Sequence, residues 1–516
     1  MRAPLVLVAL GLAAFVVPQR PRAQTIDGVY LEPIARSPAV RAPRDAMKML
    51  AAGAPALGIP SARAFFTLQP DERLRREGNF PLLVIPALFA DSREPPVSHG
   101  ELQRLLFDGP AERGTLPDYY RDVSRGKLRV RGTVAPWVRT PVTLRDAAGE
   151  REGHGWIGTR MRAYVAEAIR LADASIDFRQ FDNNGPDGIP NSGDDDGWVD
   201  GVAVKYAEVS GSCGGPGPWP HFGAARDMSG QVIATNERTP GGAPIRVQVY
   251  IADSAMDCTG TMPDGFAVLA HEFGHLIGLP DLYRALDGTE REHRAWAVGC
   301  FDLMAAGTWG CGTGPKVPRF GPTHFSPFMK WRLGWQDFID VEYADRQEFV
   351  LPPSQTAGTA LRVRLAPNSL EWFLFEYRPR SGFDLSLPAG GVLVYHYDAF
   401  EDERPVPEGL APAFWYHLVE ADGDDALRRS EVRGGNRGVA SDVFAQDGAI
   451  ASLDDASTPS TRDHLGGSST LTIHSIRVDG AVARVTLSVG SGLHVAERDF
   501  PPNPLVLLPL DGRIRF

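Results

Sequence analysis

Apolar and polar positions change rhythm twice along the chain. After a lead rich in Ala, Pro and Arg (24–77), the first firm signal is the apolar run Phe80-Pro81-Leu82-Leu83-Val84-Ile85-Pro86. A short apolar run of that kind predicts a buried strand. A helix is predicted near Glu101 to Phe107, and Lys127 to Thr133 and Trp137 to Leu144 read as a strand pair. Between Trp156 and Asp173 the apolar residues Ile157, Met161, Val165 and Ile169 fall at helical spacing and predict a longer helix. Mixed strand and helix signals up to about residue 337 predict an α+β domain, with α/β as the variant (78–337). After Gly334-Trp335 strand runs take over: Glu348 to Leu351, Ala360 to Leu365, Glu371 to Tyr377, Gly390 to Tyr397, Trp415 to Glu420, then Ser469 to Arg477 and Ala481 to Val489 around the turn Asp479-Gly480. Asp-Gly between two alternating runs is a hairpin signal. An all-β domain of sandwich type is expected over 340–490, with a tail over 491–516.

The first residues have a separate logic. Arg2, the apolar run Leu5 to Val17 and the small residue Ala23 form a signal peptide over 1–23. The run falls short of the ~20 apolar residues of a membrane span, although an N-terminal anchor is the alternative. No later stretch is apolar enough to span. The protein is therefore expected to be secreted or extracytoplasmic, with 24–77 a pro-segment of a zymogen or a flexible lead. The formal net charge of −11 argues against a nucleic-acid partner or a polybasic membrane-surface protein. Cys213, Cys258, Cys300 and Cys311 suit an oxidising compartment and allow three pairings. Cys213–Cys258 with Cys300–Cys311 closing a short loop is preferred, though spacing alone does not decide it.

The chemistry is concentrated in Ala267-Val268-Leu269-Ala270-His271-Glu272-Phe273-Gly274-His275-Leu276-Ile277-Gly278-Leu279-Pro280-Asp281-Leu282-Tyr283. Residues four apart share a helix face, so His271 and His275 can offer imidazoles to one zinc ion. Glu272, beside the first histidine, can reach the water that zinc activates and take its proton without being a ligand. Gly278 suits the left-handed turn that ends a helix. Three residues on, Asp281 can bring a carboxylate back to the ion, while Glu290, Glu292 and His293 remain open as alternatives.

The string His-Glu-x-x-His-x-x-Gly-x-x-Asp resembles the zinc signature of metzincin-like proteases with aspartate as third ligand. HEFGHLIGLPDLY resembles more specifically the immune inhibitor A family of secreted bacterial metallopeptidases. PLLVIPALFAD, LQRLLFDG, DYYRDVSRGKLRVRGTVAPWV, FDLMAAGTWG and PTHFSPFMKWRLGW agree with it, so the resemblance covers about residues 80–337. It implies a metzincin-like catalytic domain in which Met304 is the methionine of a turn beneath the zinc site. Tyr283 is a candidate hydrogen-bonding group near the site, with an ordinary packed tyrosine as the more common reading, and Asp302 is either a helper or a turn residue.

A second feature is the loop Asp182-Asn183-Asn184-Gly185-Pro186-Asp187-Gly188 with Asp194-Asp195-Asp196-Gly197-Trp198-Val199-Asp200. Alternating oxygen donors and glycine turns suit calcium. The candidate ligands are Asp182, Asn184, Asp196 and Asp200, and a solvated acidic loop is the alternative. The loop Gly211 to Pro220 with His221 is a candidate border of the cleft. The β domain adds scattered His396, Asp398, Glu420, Asp422, Asp424 and Asp442; Asp422-Gly423-Asp424-Asp425 is a candidate cation loop, with turn acids as the commoner explanation.

The expected function is that of a secreted, monomeric zinc metalloendopeptidase acting on proteins or peptides, with Glu272 as general base. The alternatives are an exported adhesion or carbohydrate-binding protein on a non-catalytic protease-like scaffold, and a zinc hydrolase of non-peptide substrates.

Overall fold

The computed structural model describes residues 76–149, 157–158, 160–286, 291–312, 321–366, 369–398, 414–445 and 451–490. The expected signal peptide, nearly all of the lead, the tail and Glu290 lie outside them. The first part of the chain runs β1 (Gly78–Leu88), α1 (His99–Gln103), α2 (Leu116–Val123), β2 (Leu128–Val134), β3 (Val138–Arg139), α3 (Leu144–Ala148), α4 (Met161–Ala172), β4 (Val202–Tyr206), β5 (His221–Ala224), β6 (Ile233–Arg238), β7 (Pro244–Val247), β8 (Val249–Ser254), α5 (Ala267–Leu276), β9 (Arg284–Ala285), β10 (Arg294–Ala295) and α6 (Pro327–Arg332).

The main sheet has the order β2-β1-β4-β8-β5, parallel except for the edge strand β5. The architecture is mixed α/β with helices on both faces. β1 shows why its sequence lacks alternation. Phe80, Leu82 and Val84 enter the core shared with α2 and α5, while Leu83, Ile85 and Ala87 enter the core under α4. The strand pair expected over 127–144 does not form. β2 and β3 each lie parallel to β1, and the second run ends early because Thr143 caps α3, its hydroxyl accepting from the Asp146 amide. The predicted first helix winds from α1 into a π turn over Arg104–Asp108.

The second part consists of β11 (Asp337–Val341), β12 (Ala344–Leu351), α7 (Ser354–Ala357), β13 (Thr359–Arg364), β14 (Glu371–Arg378), β15 (Gly391–Asp398), β16 (Tyr416–Leu418), β17 (Ala451–Leu453), β18 (Thr472–Asp479) and β19 (Val482–Val489). Two sheets, β11-β13-β14-β15-β16 and β12-β19-β18-β17, enclose a core that includes Phe373, Phe375, Val392, Val394, Ile473, Val485 and Leu487. The first of them is covered on its other face too. Leu374, Tyr395, Tyr397 and Tyr416 join the core of the first part, with Phe328 against Tyr397 at 4.6 Å and Tyr416 at 5.1 Å. The β part is thus packed directly behind α6 and the segment that follows the histidine helix.

Candidate metal centre

Helix α5 has no side-chain cap at its start, and all but three of its ten residues are apolar or glycine. Packing holds it rather than local signals. The Tyr120 hydroxyl, itself buried, donates to the Ala270 carbonyl at 2.7 Å, fixing the helix one residue before His271. Gly278, at φ +98°, supplies the left-handed turn that returns the chain.

That turn brings Asp281 to the two histidines. Its Oδ1 lies 3.2 Å from His271 Nε2 and 3.3 Å from His275 Nε2. Asp281 Oδ1 is buried and makes no hydrogen bond at those separations, so the three atoms face a common point rather than one another. Tetrahedral ligands about 2.0–2.1 Å from zinc stand about 3.3–3.4 Å apart, which these separations match. The other imidazole nitrogens are committed: His271 Nδ1 donates to Leu303 O and His275 Nδ1 to Leu279 O, both at 2.8 Å. A carbonyl only accepts, so each Nδ1 carries a proton and Nε2 is the nitrogen left to face a metal. The residues therefore fit zinc. Glu292 and His293 do not join this cluster among the described residues.

Glu272 is 6% exposed. Burial pushes its carboxyl above the usual range, His271 and His275 oppose that, and Asp281 and Asp253 reinforce it. Met304 lies against the helix beneath the histidines. A Cβ built on Gly274 would stand 2.5 Å from Met304 Sδ, so only glycine lets the floor come this close. Asp302 is a turn anchor: its Oδ1 accepts from the Met304 amide at 2.7 Å and its Oδ2 from the Ser326 amide at 2.6 Å. The Leu282 amide donates to Met304 O at 2.8 Å, tying the Asp281 loop to the same turn. Tyr283 stacks on His271 (centroids 6.3 Å, 24°), and the Arg294 guanidinium lies over both Tyr283 (4.6 Å) and Trp219 (5.1 Å). The loop Gly211 to Pro220 thereby borders the site through Trp219.

Gly274→Ala is expected to destabilise the protein by about 1–3 kcal/mol, because overpacking outweighs alanine's better helix propensity. Thermal unfolding checks this; an unchanged midpoint would mean that Met304 gives way freely.

His221 sits on β5 with both ring nitrogens engaged, Nδ1 with Trp219 O and Nε2 with the Tyr250 hydroxyl, each at 2.7 Å. Burial lowers its pKa to about 4. Between about pH 4 and 6.5 the unfolded chain binds a proton that the folded chain refuses, so stability falls as pH falls through that window. The expected loss from this residue is about 3 kcal/mol. A pH series of unfolding midpoints should lose this slope in His221→Gln; an identical slope would assign acid lability elsewhere.

The disulfides are Cys213–Cys258 and Cys300–Cys311. In the acidic loop Asp182 and Asp200 are buried. Burial, then neighbouring aspartates, push them up to about 7 and about 8. The buried oxygens there without hydrogen-bond partners belong to Asp182, Asn183, Asn191 and Asp200. Asn184 is only half-buried, and the exposed Asp196 accepts from the Trp198 amide at 3.0 Å. In the β part His396 Nε2 is 2.9 Å from Glu371 and His464 Nδ1 3.2 Å from Asp398.

A helix-borne His-Glu-x-x-His with a carboxylate returned to the same point, in a mixed α/β domain, is an arrangement of the kind that metallohydrolases use to hold and activate water. Residues 102–336 match the model of the immune inhibitor A peptidase M6 catalytic domain, so the resemblance read from the motifs holds for this stretch. An immune inhibitor A of Bacillus thuringiensis subsp. alesti is 30% identical over 266 residues, 48% of this chain and 36% of that protein. The pre-pro-metalloprotease PrtV of Vibrio cholerae serotype O1 is 29% identical over 251 residues, 44% of this chain and 25% of the relative. The chain thus spans about a third and a quarter of the lengths of these two relatives.

Proposed function

We propose that this protein is a secreted zinc metalloendopeptidase with a metzincin-like catalytic domain over 78–337 and a β-sandwich domain over 340–490. The observation that carries the reading is the convergence of His271 Nε2, His275 Nε2 and Asp281 Oδ1 on one point beside the buried Glu272. These three residues would hold the ion. When bound, zinc polarises the scissile carbonyl and makes water a nucleophile near neutral pH. Glu272 takes the proton from the attacking water and delivers it to the leaving amine, a task helped by burial that raises its proton affinity. Asp302 and Gly274 position this machinery through Met304; they touch no substrate.

Residues 1–23 act as signal peptide in this reading and 24–77 as pro-segment. No helix among the described residues is long and apolar enough to cross a membrane. The protein works as a monomer on peptide substrates. Calcium occupies the Asp182–Asp200 loop, where four buried oxygens lack hydrogen-bond partners. Zinc content of the purified mature protein, measured beside casein cleavage with and without a chelator, tests the reading. One zinc per chain with chelator-sensitive cleavage is expected. Absence of zinc after metal-replete refolding would reduce the helix to a scaffold, and zinc without cleavage would favour a non-peptide substrate.

A further inference from the structure

The β part holds a second cluster of acids that the peptidase chemistry does not use. Glu420 follows β16, Asp422 lies in the turn after it, and Asp442 comes from the 3-10 turn at Ala440–Asp442. Each offers one carboxylate oxygen to a group within 4.8 Å of one another. Glu420 and Asp442 are each 1% exposed, and Asp422 opens to solvent. Asp442 Oδ2 accepts from the Val439 amide at 2.8 Å, but its Oδ1 is buried without any hydrogen-bond partner.

Such an arrangement is costly unless a cation joins it, since three carboxylates repel and an unpaired buried oxygen has lost its water. Among the described residues no cation pairs with these three acids. The nearby arginines go elsewhere, Arg428 to Asp425 at 2.5 Å and Arg429 to Asp424 at 3.7 Å. The donor set is entirely oxygen, which favours a hard cation with many ligands over a transition metal.

We propose that Glu420, Asp422 and Asp442 form a calcium site that fastens the β part to the peptidase part. The Glu420 carboxylate also accepts from the Ala426 amide at 2.8 Å and the Leu427 amide at 3.0 Å. The Leu427 carbonyl in turn accepts from the Trp296 and Ala297 amides at 2.9 and 3.0 Å, and the Leu418 amide donates to Ala297 O at 3.1 Å. Trp296 packs on Tyr283 at 5.3 Å, beside His271. A cation that holds Glu420 in place therefore fixes the clamp on the wall of the metal centre.

Calcium binding is measured on the zinc-loaded full chain in calcium-depleted buffer at pH 8, by equilibrium dialysis against calcium chloride. Asp442→Asn and Asp422→Asn are each expected to bind one calcium fewer per chain than the parent, and to do so equally in an Asp200→Asn background, which removes the loop site from the count. Half-saturation is expected below about 1 mM, the range of extracellular calcium modules. Unfolding midpoints separate ligation from simple structural loss. Asp442→Asn should be no less stable than the parent without calcium and less stable with it. A parental calcium count in both variants, or an equal loss of stability with and without calcium, would overturn the proposal. Exposed Asp422 keeps the test open should Asp442→Asn fail to fold. None of these readouts depends on peptide cleavage.

Discussion

Glu272→Gln is expected to retain one zinc per chain and to lose peptide hydrolysis by about two to four orders of magnitude, the usual contribution of a positioned base. The substitution is close to isosteric, and Glu272 is not one of the three groups whose donor atoms converge. Glutamine therefore keeps the packing of a nearly buried position while replacing the basic carboxylate with an amide that cannot take the proton of the attacking water. The measurement pairs metal analysis with kcat/KM on a peptide substrate. A variant that cleaves as well as the parent would remove Glu272 from the mechanism, and a variant that loses zinc would make it a ligand or a positioning group. This split matters because ligand loss and base loss look alike in an activity assay alone.

Arg378→Ala is expected to lower stability by about 3–5 kcal/mol, the cost of breaking a buried ion pair from one side. Its side chain and that of Asp384 are fully buried. Arg378 Nε donates to Asp384 Oδ2 at 3.0 Å, its terminal nitrogens reach Asp384 Oδ1 and the Phe301 carbonyl, and Glu376 Oε1 lies 3.5 Å away. Burial alone would raise the Asp384 carboxyl; Arg378 holds it down at about 2. Asp384 also accepts from the His324 amide and from Gln355 Nε2, both at 3.0 Å. The guanidinium thus joins β14 to the segment just before Met304. Arg378→Lys should recover only part of the loss, because an ammonium cannot make the two-pronged contact. Urea unfolding of the zinc-loaded protein reads the difference, and a loss below about 1 kcal/mol would mean that water enters and resolvates the acids.

Most strands of the β part were legible, but β11 and the three-residue β17 were not among the expected runs. Its runs are flanked by turn residues, and Gly480, at φ +64°, forms the turn expected between β18 and β19. The first part was less so. The run over Trp137 to Leu144 contains strand-formers, but a threonine cap ends it locally, and pairing to β1 rather than to β2 is a long-range choice that periodicity does not carry. In the candidate centre, His271, Glu272, His275 and Gly278 follow from spacing on one helix and its end, and Asp281 was the preferred third donor with Glu290, Glu292 and His293 left open. Gly274 could have been found as well, since a glycine in the middle of a buried helix signals close approach. Trp219 lies in the loop Gly211 to Pro220 that the sequence offered as a border of the cleft; Tyr120 and Arg294 could not be found, because packing and not spacing brings them to the site.

Local spacing was enough for the near chemistry: two imidazoles one helical turn apart, a base between them, and a glycine turn able to return a carboxylate. Three to ten residues of chain fix these relations, so short-range geometry suffices. The packed fold settles what holds and surrounds them. Leu303 O fixes the tautomer of His271, Met304 closes against Gly274, and the β part covers the back of the centre. It also decided which acids gather, bringing Glu420 and Asp442 together across a gap of more than twenty residues while leaving Asp424 exposed. These outcomes depend on burial and on partners far apart in the chain, and burial is a property of the packed molecule, not of any segment of it.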